Sequence, residues 1–151
     1  MRHNGIFKVK ITKMLLREKF DEYNRLYFDD KLGSCQFSFL RKNNSAYGRY
    51  SRKKAYSGQE TSQIWMGRCI AWNEERLQEI LLHEMIHMYV ETVEHKHYDG
   101  LLGHGWRFRR QCRRLKRQYG VKVRVHPHYE RLDKSLEPKW WDTALTYLID
   151  W

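Results

Sequence analysis

The sequence predicts a single α+β domain over residues 1–151. We expect an N-terminal helix, a small antiparallel sheet of about three strands, and a helix with an HExxH motif packed against a following basic helix. Three segments have apolar residues at helical spacing, and the stretch between the first two alternates and is rich in aromatic residues. A chain of 151 residues is long enough for one hydrophobic core and rarely for two.

The first helix is predicted over residues 12–31. Its apolar positions recur on one face, at Leu16, Phe20, Tyr23 and Tyr27. Thr12 is a suitable N-cap, because its hydroxyl can accept a hydrogen bond from the first helical turn. Gly33 ends the pattern.

Three strands are predicted in the next part of the chain. The segments 35–40, 47–51 and 62–68 have the alternation and the aromatic content of strands. The sequence NNSAYG supplies turn chemistry after the first of them, and a polar tip separates the second from the third. Together they predict a small antiparallel sheet.

The second helix is predicted to begin after Asn73 and to run to about Glu94. Asn73 is a good N-cap, and two glutamates follow it in the first turn, where the helix dipole favours negative charge. Most sides of this helix are apolar. One broad face carries Leu77, Leu81, Leu82, Met85, Met88 and Tyr89, and Ile80, Ile86 and Val90 surround the opposite side. We therefore expect the helix to be buried.

A third helix is predicted over residues 105–119, after a loop, and it ends at Gly120. One of its faces is expected to pack on the core and carries Phe108, Cys112, Leu115 and Tyr119. The segment 121–127 alternates and is interpreted as a short strand. Residues 138–151 are aromatic and are interpreted as a helix.

The sequence HEMIH in the second helix indicates a metal site. His83 and His87 are one helical turn apart on one side of the helix, so both imidazoles can reach one ion. Glu84 lies beside them and is suited to take a proton from a metal-activated water. The alternative is a chance match in which the histidines are hydrogen-bonded core residues. The apolar surroundings and the HExxH spacing favour metal binding.

A catalytic zinc site needs a third protein ligand. The metzincin pattern would place glycine at position 90 and histidine at position 93, and this chain has valine at both, so that class is excluded. The remaining downstream candidates are Glu91, Glu94, His95, His97 and His104. His104 lies between two glycines, which let the backbone approach the site closely, and it begins the third helix. We interpret His95 and His97 as exposed loop residues.

The formal net charge of +11 is concentrated in two blocks without acidic residues. The first basic block lies between Asp30 and Glu60, and the second lies between Asp99 and Glu130. Basic surfaces without interspersed acids attract polyanions, of which nucleic acid is the most common. The alternative is a solvated surface that only keeps the protein soluble. Two blocks that flank one candidate site favour nucleic-acid binding.

The third helix carries much of the second basic block. Its predicted nucleic-acid contacts are Trp106, Arg107, Arg110, Arg113, Arg114 and Arg117. An aromatic ring inside a basic stripe is typical of single-strand binding, in which cations contact phosphates and the ring stacks on a base. The alternative for Trp106 is packing on arginine side chains. The partner predicted from this face is DNA, single-stranded or distorted, bound without regard to base sequence.

Cysteine usage and hydropathy indicate a cytoplasmic protein, associated with the nucleoid if the source is microbial. The three cysteines are scattered and form no CxxC pair, which argues against a disulfide framework. No run of 18 or more apolar residues is present, so we expect no membrane span. The N-terminal segment has no secretory signal pattern.

Several of these segments together resemble the SprT-like family of zinc metalloproteases. The segments are LLHEMIHMYVE, GHGWRFRRQCRRL, FDEYNRLYFDDKL, AYGRYS and SQIWMG, and the resemblance covers roughly residues 15–125. It implies a zincin-like α+β fold in which His83, His87 and His104 bind Zn²⁺ and Glu84 is the catalytic base. It also implies cleavage of protein substrates that are associated with or crosslinked to DNA. The sequence departs from many members in lacking a C-terminal zinc ribbon with four cysteines.

The leading hypothesis is a zinc-dependent endopeptidase that is guided to its protein substrates by DNA. One alternative is a DNA-binding module with a structural zinc and little peptidase activity, which would have no need for Glu84. Another is a general metallopeptidase unrelated to DNA. Candidates for stabilising the oxyanion are Tyr47, Tyr50, Tyr98 and the arginines, and the sequence does not separate them.

Overall fold

A computed structural model describes residues 8–97, 99–100 and 103–139. Three helices and three strands are present in these residues, in the order α1 (Lys13–Tyr27), β1 (Cys35–Phe39), β2 (Gly48–Lys54), β3 (Glu60–Met66), α2 (Glu74–Thr92) and α3 (Trp106–Tyr119). A 3₁₀ turn follows α3 at Lys134–Leu136. The α+β class is thus confirmed. The interpretation of residues 138–151 as a helix falls largely outside the described residues.

The sheet is mixed, with strand order β1-β3-β2. β2 and β3 form an antiparallel hairpin, and β1 pairs with β3 in parallel. The prediction of a fully antiparallel sheet is therefore wrong for β1. The loop after β1 leads to β2, which lies at the opposite edge of the sheet. β3 then takes the central position between β1 and β2. Because β1 and β3 both run opposite to β2, they are parallel to each other.

One face of the sheet is covered by helices. Ile64 and Met66 on β3 are fully buried, and Phe37 on β1 is nearly so. Helix α1 packs against β1, helix α2 packs against β2 and β3, and α3 packs against α2. The β2–β3 hairpin is longer than predicted, because the polar residues of its tip continue the strand pairing as far as Lys54 and Glu60. The hairpin tip therefore extends away from the core.

Helix α1 begins as predicted and ends earlier than predicted. The Thr12 hydroxyl accepts a hydrogen bond from Leu15 N at 3.1 Å. The helix ends at Tyr27, where Asp29 and Asp30 adopt positive φ angles of 51° and 55°. The buried amide of Asn24 closes this turn through two hydrogen bonds to the backbone of Leu32, at 2.9 and 3.1 Å. These local bonds satisfy the Leu32 backbone in place of a further helical turn.

Helix α2 lies inside the core, as its apolar surface predicts. Asn73 caps it by accepting a hydrogen bond from Arg76 N at 2.8 Å. Eleven of its 19 residues are buried, and they lie on opposite sides of the helix. The apolar members pack with residues from the sheet, α1 and α3 in one continuous core. Polar side chains in this helix therefore lie in surroundings where they need defined partners.

Helix α3 ends at Gly120, which has the left-handed φ of 67° that favours glycine. Phe108 and Leu115 are fully buried, while Tyr119, at the end of the predicted apolar face, is 44% exposed. The prediction of a strand at 121–127 is wrong, because this segment has no strand partner among the described residues. It runs instead as an extended strap against α2. None of the described helices is long and apolar enough to cross a membrane.

Candidate metal centre

Three histidines from two parts of the chain come together at one point. Each of His83, His87 and His104 offers a ring nitrogen, and these three atoms lie within 4.8 Å of one another. The Nε2 atoms of His83 and His104 are 3.1 Å apart. Two nitrogens that bind one tetrahedral zinc ion lie about 3.3–3.4 Å apart. The three side chains are therefore positioned to bind a metal ion.

The tautomer of His83 is set by a backbone carbonyl. His83 Nδ1 lies 3.3 Å from the carbonyl oxygen of Arg124, which is in the strap after α3. A carbonyl only accepts hydrogen bonds, so Nδ1 carries the proton and donates it. The lone pair of His83 then lies on Nε2, the atom that faces His104. This orientation through the second ring nitrogen is typical of metal-binding histidines.

The surroundings keep these imidazoles neutral. Burial, together with the neighbouring imidazoles of His87 and His104, holds the pKa of His83 well below its usual range. Burial and the imidazole of His104 lower the pKa of His87 to about 3. A metal ligand must be the neutral imidazole. The site thus favours the protonation state that metal binding requires.

An aromatic ring from α3 supports all three imidazoles. The centroid of Phe108 lies 4.7 Å from that of His83, 4.6 Å from that of His87 and 4.9 Å from that of His104. Phe108 is fully buried. Because close-packed rings restrict one another's rotation, Phe108 limits the orientations that the three histidines can adopt.

The turn that delivers His104 depends on its two flanking glycines. Gly103 has a φ of 75°, and a Cβ there would lie 3.2 Å from the ring of His87. A Cβ on Gly105 would lie 2.6 Å from Asp99. The buried Asp99 carboxylate accepts hydrogen bonds from the N–H groups of Arg107 and Phe108, at 3.1 and 2.6 Å, at the start of α3. The turn thus fixes His104 against α2 and caps the next helix.

Glu84 lies beside the three histidines and is only 6% exposed. A Cβ on Gly48 of β2 would lie 2.8 Å from Glu84 Oε1, so the absence of a side chain at Gly48 makes room for this carboxylate. No group among the described residues donates a hydrogen bond to Glu84. Burial raises the pKa of Glu84 to about 8, against the opposing effect of the Arg49 charge. A carboxyl group with a raised pKa near neutral pH is suited to accept and release a proton.

The histidines and Glu84 open into one cleft with a volume of about 640 Å³. One wall is the start of β2, with Gly48, Arg49 and Tyr50, and the other includes the His104 turn. Glu91 and His97 line the end of the cleft that lies beyond His87. The site is thus buried in the core on one side and open to a ligand on the other.

The other candidates for a third ligand do not join the histidine group, although Glu91 and His97 line the same cleft. Glu94 binds Arg107 and Arg110, with oxygen–nitrogen distances of 3.7 and 2.7 Å. His95 is an exposed loop residue with a φ of 57°. His97 is exposed, as predicted, although it also lines the mouth of the cleft. Among the described residues, only His104 joins His83 and His87 in a group that could hold a metal.

Two tyrosines proposed for oxyanion stabilisation are already engaged. The Tyr47 hydroxyl donates to the carbonyl of Tyr129 at 2.8 Å and accepts from the N–H of Tyr129 at 3.0 Å. The Tyr50 hydroxyl is hydrogen-bonded to Ser62 Oγ at 3.0 Å. Tyr98 lies outside the described residues. Arg49 is the arginine that lines the cleft.

The basic residues of α3 differ in their surroundings: some face solvent, and one bonds to helix α1. Trp106 is 58% exposed, with the guanidinium groups of Arg107 and Arg110 at 4.5 and 4.8 Å from its ring centroid. Arg110, Arg113 and Arg117 are exposed on one side of the helix. Arg114 instead donates to the carbonyl of Tyr27 at the end of α1, at 2.7 Å. Packing on arginine, which was the alternative for Trp106, is thus observed, and the residue remains exposed to solvent.

Three residues of the site were missed by the sequence analysis. The buried Glu79 and the partly exposed Arg124 form an ion pair behind His83. Asp99 organises the turn before α3. A signal for Glu79 existed, since it is one helical turn before His83 on the same side of α2. Arg124 and Asp99 gave no comparable local pattern.

Comparison with known proteins identifies the family. A family model described as the SprT-like family matches residues 16–128, about three quarters of the chain. A search of curated proteins gives no match to the chain. The matched range contains most of α1, the sheet, the three histidines and the strap with Arg124.

The contact between Gly103 and His87 predicts that Gly103→Ala weakens metal binding by the three histidines at least tenfold, with Zn²⁺ as the test ion. The added Cβ would meet the imidazole at 3.2 Å and displace a ligand. Gly58→Ala is the matched control, because Gly58 has a similar φ of 84° with no atom within 4 Å of the added Cβ. Both variants should lose about 1 kcal/mol of stability through backbone strain. Chelator competition measures the affinity, and equal zinc affinity in the two variants would contradict the assignment.

The buried Glu84 carboxyl predicts that Glu84→Gln stabilises the metal-free protein at higher pH. The folded-state pKa of about 8 exceeds the ordinary value of 4.5, so between these pH values the folded protein holds a proton that the unfolded chain has released. Stability of the parent protein therefore falls as pH rises through this window, and the glutamine variant lacks this dependence. The stability difference should grow by about 3 kcal/mol between pH 5 and pH 8. Urea unfolding with chelator present measures it, and a difference independent of pH would refute the burial argument.

Proposed function

The chain belongs to the SprT-like family, and from that premise and the site geometry we propose that it is a zinc-dependent endopeptidase acting on DNA-associated proteins, including proteins crosslinked to DNA. The observation that carries the proposal is the convergence of three imidazoles beside a buried glutamate in an open cleft. A purely structural zinc site is closed by four protein ligands and has no use for such a carboxylate.

The donor set favours zinc over harder cations. Three imidazole nitrogens suit Zn²⁺ and other late transition metals, whereas Mg²⁺ and Ca²⁺ prefer oxygen ligands. The site also lacks a thiolate, since Cys35, Cys69 and Cys112 are free cysteines outside the histidine group. His83, His87 and His104 would hold the ion.

When bound, the zinc ion would supply Lewis acidity, which lowers the pKa of water and polarises the scissile carbonyl. Glu84 takes the proton of the attacking water at its carboxylate and delivers it to the nitrogen of the leaving amine. Burial raises the basicity of this carboxylate, which favours the first transfer. Gly48 leaves the space that the carboxylate occupies, and Phe108 and the Arg124 carbonyl keep the imidazoles in place.

The wall of the cleft supports a polypeptide as the substrate. Among the described residues β2 pairs only with β3, so its other edge has unpaired backbone N–H and C=O groups. The first residues of this strand line the cleft next to Glu84. An extended peptide can pair with an open strand edge through main-chain hydrogen bonds. This arrangement suits cleavage within a chain rather than hydrolysis of a small molecule.

The folded positions of the basic blocks support a link to DNA. Arg52 of the hairpin bonds to the carbonyl of Glu91, and Arg107 and Arg110 of α3 bind Glu94. Both basic blocks thus approach the last turn of α2, near the end of the cleft. The hairpin tip has exposed Lys53, Lys54 and Tyr56, and α3 has exposed Trp106, Arg110, Arg113 and Arg117. Exposed aromatic rings among cations are suited to single-stranded DNA.

The proposal predicts that the zinc-loaded protein cleaves a DNA-bound protein. Glu84→Gln should reduce the cleavage rate at least about 100-fold, because the proton acceptor is lost. The measurement is gel-based cleavage of a DNA-binding protein, with and without single-stranded DNA. Zinc content of the variant, measured in parallel, confirms that its site is loaded. Cleavage by the variant at the parental rate would refute the role of Glu84, and cleavage that DNA does not affect would favour a general metallopeptidase.

The exposed side of α3 predicts that Arg113→Glu weakens binding to single-stranded DNA about tenfold at low salt. The slope of the logarithm of the binding constant against the logarithm of the salt concentration should also fall by the equivalent of about one phosphate contact. Arg25→Glu, at an exposed position of α1, is the control with the same change of charge. Fluorescence anisotropy with a labelled oligonucleotide at several salt concentrations gives both quantities. Equal losses in the two variants would indicate net charge alone, and no measurable affinity in the parent protein would exclude this surface as a DNA site.

A further inference from the structure

Behind the metal centre, on the side of His83 away from the other imidazoles, lies an ion pair between Glu79, which is buried, and Arg124, whose side chain is partly exposed. Glu79 is on α2, one turn before His83, and is only 7% exposed. Arg124 is in the strap that follows α3, 45 residues along the chain. The pair therefore connects the metal-site helix to a segment with no regular secondary structure of its own.

The Glu79 carboxylate has an unusually full set of donors. It accepts from the backbone N–H of Arg124 at 2.9 Å, from Arg124 Nε at 3.0 Å and from Arg124 Nη2 at 2.7 Å. The Tyr129 hydroxyl also donates to it. Burial alone would raise the pKa of Glu79, but these hydrogen bonds outweigh it and hold the pKa below the usual range. Glu79 is thus an ionised, fully bonded group.

These bonds fix the carbonyl of Arg124 as well as its side chain. The same residue that binds Glu79 through its N–H and guanidinium presents its carbonyl oxygen to His83 Nδ1, at 3.3 Å. With both its backbone N–H and its side chain held, Arg124 has little freedom to rotate its peptide groups. The strap is further anchored where the Tyr47 hydroxyl bonds to both backbone groups of Tyr129.

Stability alone is a weak explanation for this pair. The attraction in this pair is offset by the desolvation of the buried Glu79, and it is screened by solvent at Arg124, whose side chain is 38% exposed. The pair is more readily explained by the specificity of its geometry, since a bidentate guanidinium–carboxylate contact fixes both position and orientation.

We propose that Glu79 is a positioning residue for the metal centre: it holds the Arg124 carbonyl against His83 Nδ1–H and so directs His83 Nε2 to the metal. The inference rests on the proposed function only in that the three histidines bind a metal ion. Glu79 does not touch the metal or a substrate. Its effect reaches the site through Arg124 and His83 in sequence.

The expected effect is on metal affinity. Loss of a partner that orients a ligating histidine lowers affinity about 10- to 100-fold in other metal proteins. In Glu79→Gln the neutral amide brings an N–H group towards Arg124 and breaks the bidentate contact, which frees the Arg124 carbonyl. The ring of His83 can then rotate, and both tautomers become available to it.

The experiment measures the Zn²⁺ affinity of the full chain by competition with a chromophoric chelator. The expected result is at least tenfold weaker binding in Glu79→Gln, with altered d–d absorption bands when Co²⁺ replaces Zn²⁺. Glu137→Gln is the matched control. Glu137 also accepts from the backbone N–H and the guanidinium of one arginine, Arg131, but that residue does not contact the histidine group.

Unchanged affinity and an unchanged Co²⁺ spectrum in folded Glu79→Gln would overturn the inference, as would an equal loss in Glu137→Gln. If Glu79→Gln does not fold, Arg124→Lys decides, since it keeps the charge and the backbone and loses only the bidentate contact. Its expected loss is at least threefold, and parental affinity would overturn the inference. Absence of metal binding in the parent protein would instead refute the proposed function, so the two failures are distinguishable.

Discussion

The structure depends on one constraint, which is that two imidazoles of α2 lie in a helix packed into the apolar core. A buried imidazole without partners is unfavourable, and a buried imidazolium is more so. The surrounding residues meet this constraint by supplying a carbonyl to His83, a third imidazole opposite both rings, and the ring of Phe108 against all three. The result is a set of three ring nitrogens within 4.8 Å of one another, which is an arrangement suited to binding a cation.

The same constraint explains the positions of three glycines. Gly48 and Gly103 lie on opposite sides of the cleft, and a Cβ on either would contact Glu84 or His87. Gly105 leaves room for Asp99, which caps α3 and thereby fixes the residue after His104. The glycines are therefore part of the metal centre, although none of them has a functional group. Glu84 lies in the space that Gly48 leaves, without a hydrogen-bond donor among the described residues. Folding thus tolerates an unfavourable carboxyl group at the position where proton transfer needs one.

Features set by local chemistry could be predicted from the sequence. The caps Thr12 and Asn73, the stop at Gly120 and the burial of α2 follow from residues close in the chain, and all are observed. The pairing of His83 with His87 follows from helical spacing. The partner of β1 could not be predicted, because strand order depends on which strand reaches the centre of the sheet, and the local pattern is the same for either order.

The residues that hold His83 in place also could not be predicted from the sequence. Arg124 contacts His83 and Glu79 across 41 and 45 residues, and the alternation around it resembled a strand. The charge of Arg124 suggested a solvated or DNA-binding role, whereas its neighbours in space make it part of the core of the site. Arg114 differs from its sequence neighbours in the same way, since it bonds to the end of α1. Single residues in a basic block therefore have different roles, and only the fold separates those that face solvent from those that hold the site.

The most direct test of this account is X-ray absorption at the zinc edge on the zinc-loaded full chain. The account predicts one zinc ion per chain with three imidazole nitrogens and an additional light-atom ligand, and a change to two imidazoles in His104→Ala. A sulfur ligand, or a spectrum that His104→Ala leaves unchanged, would contradict it.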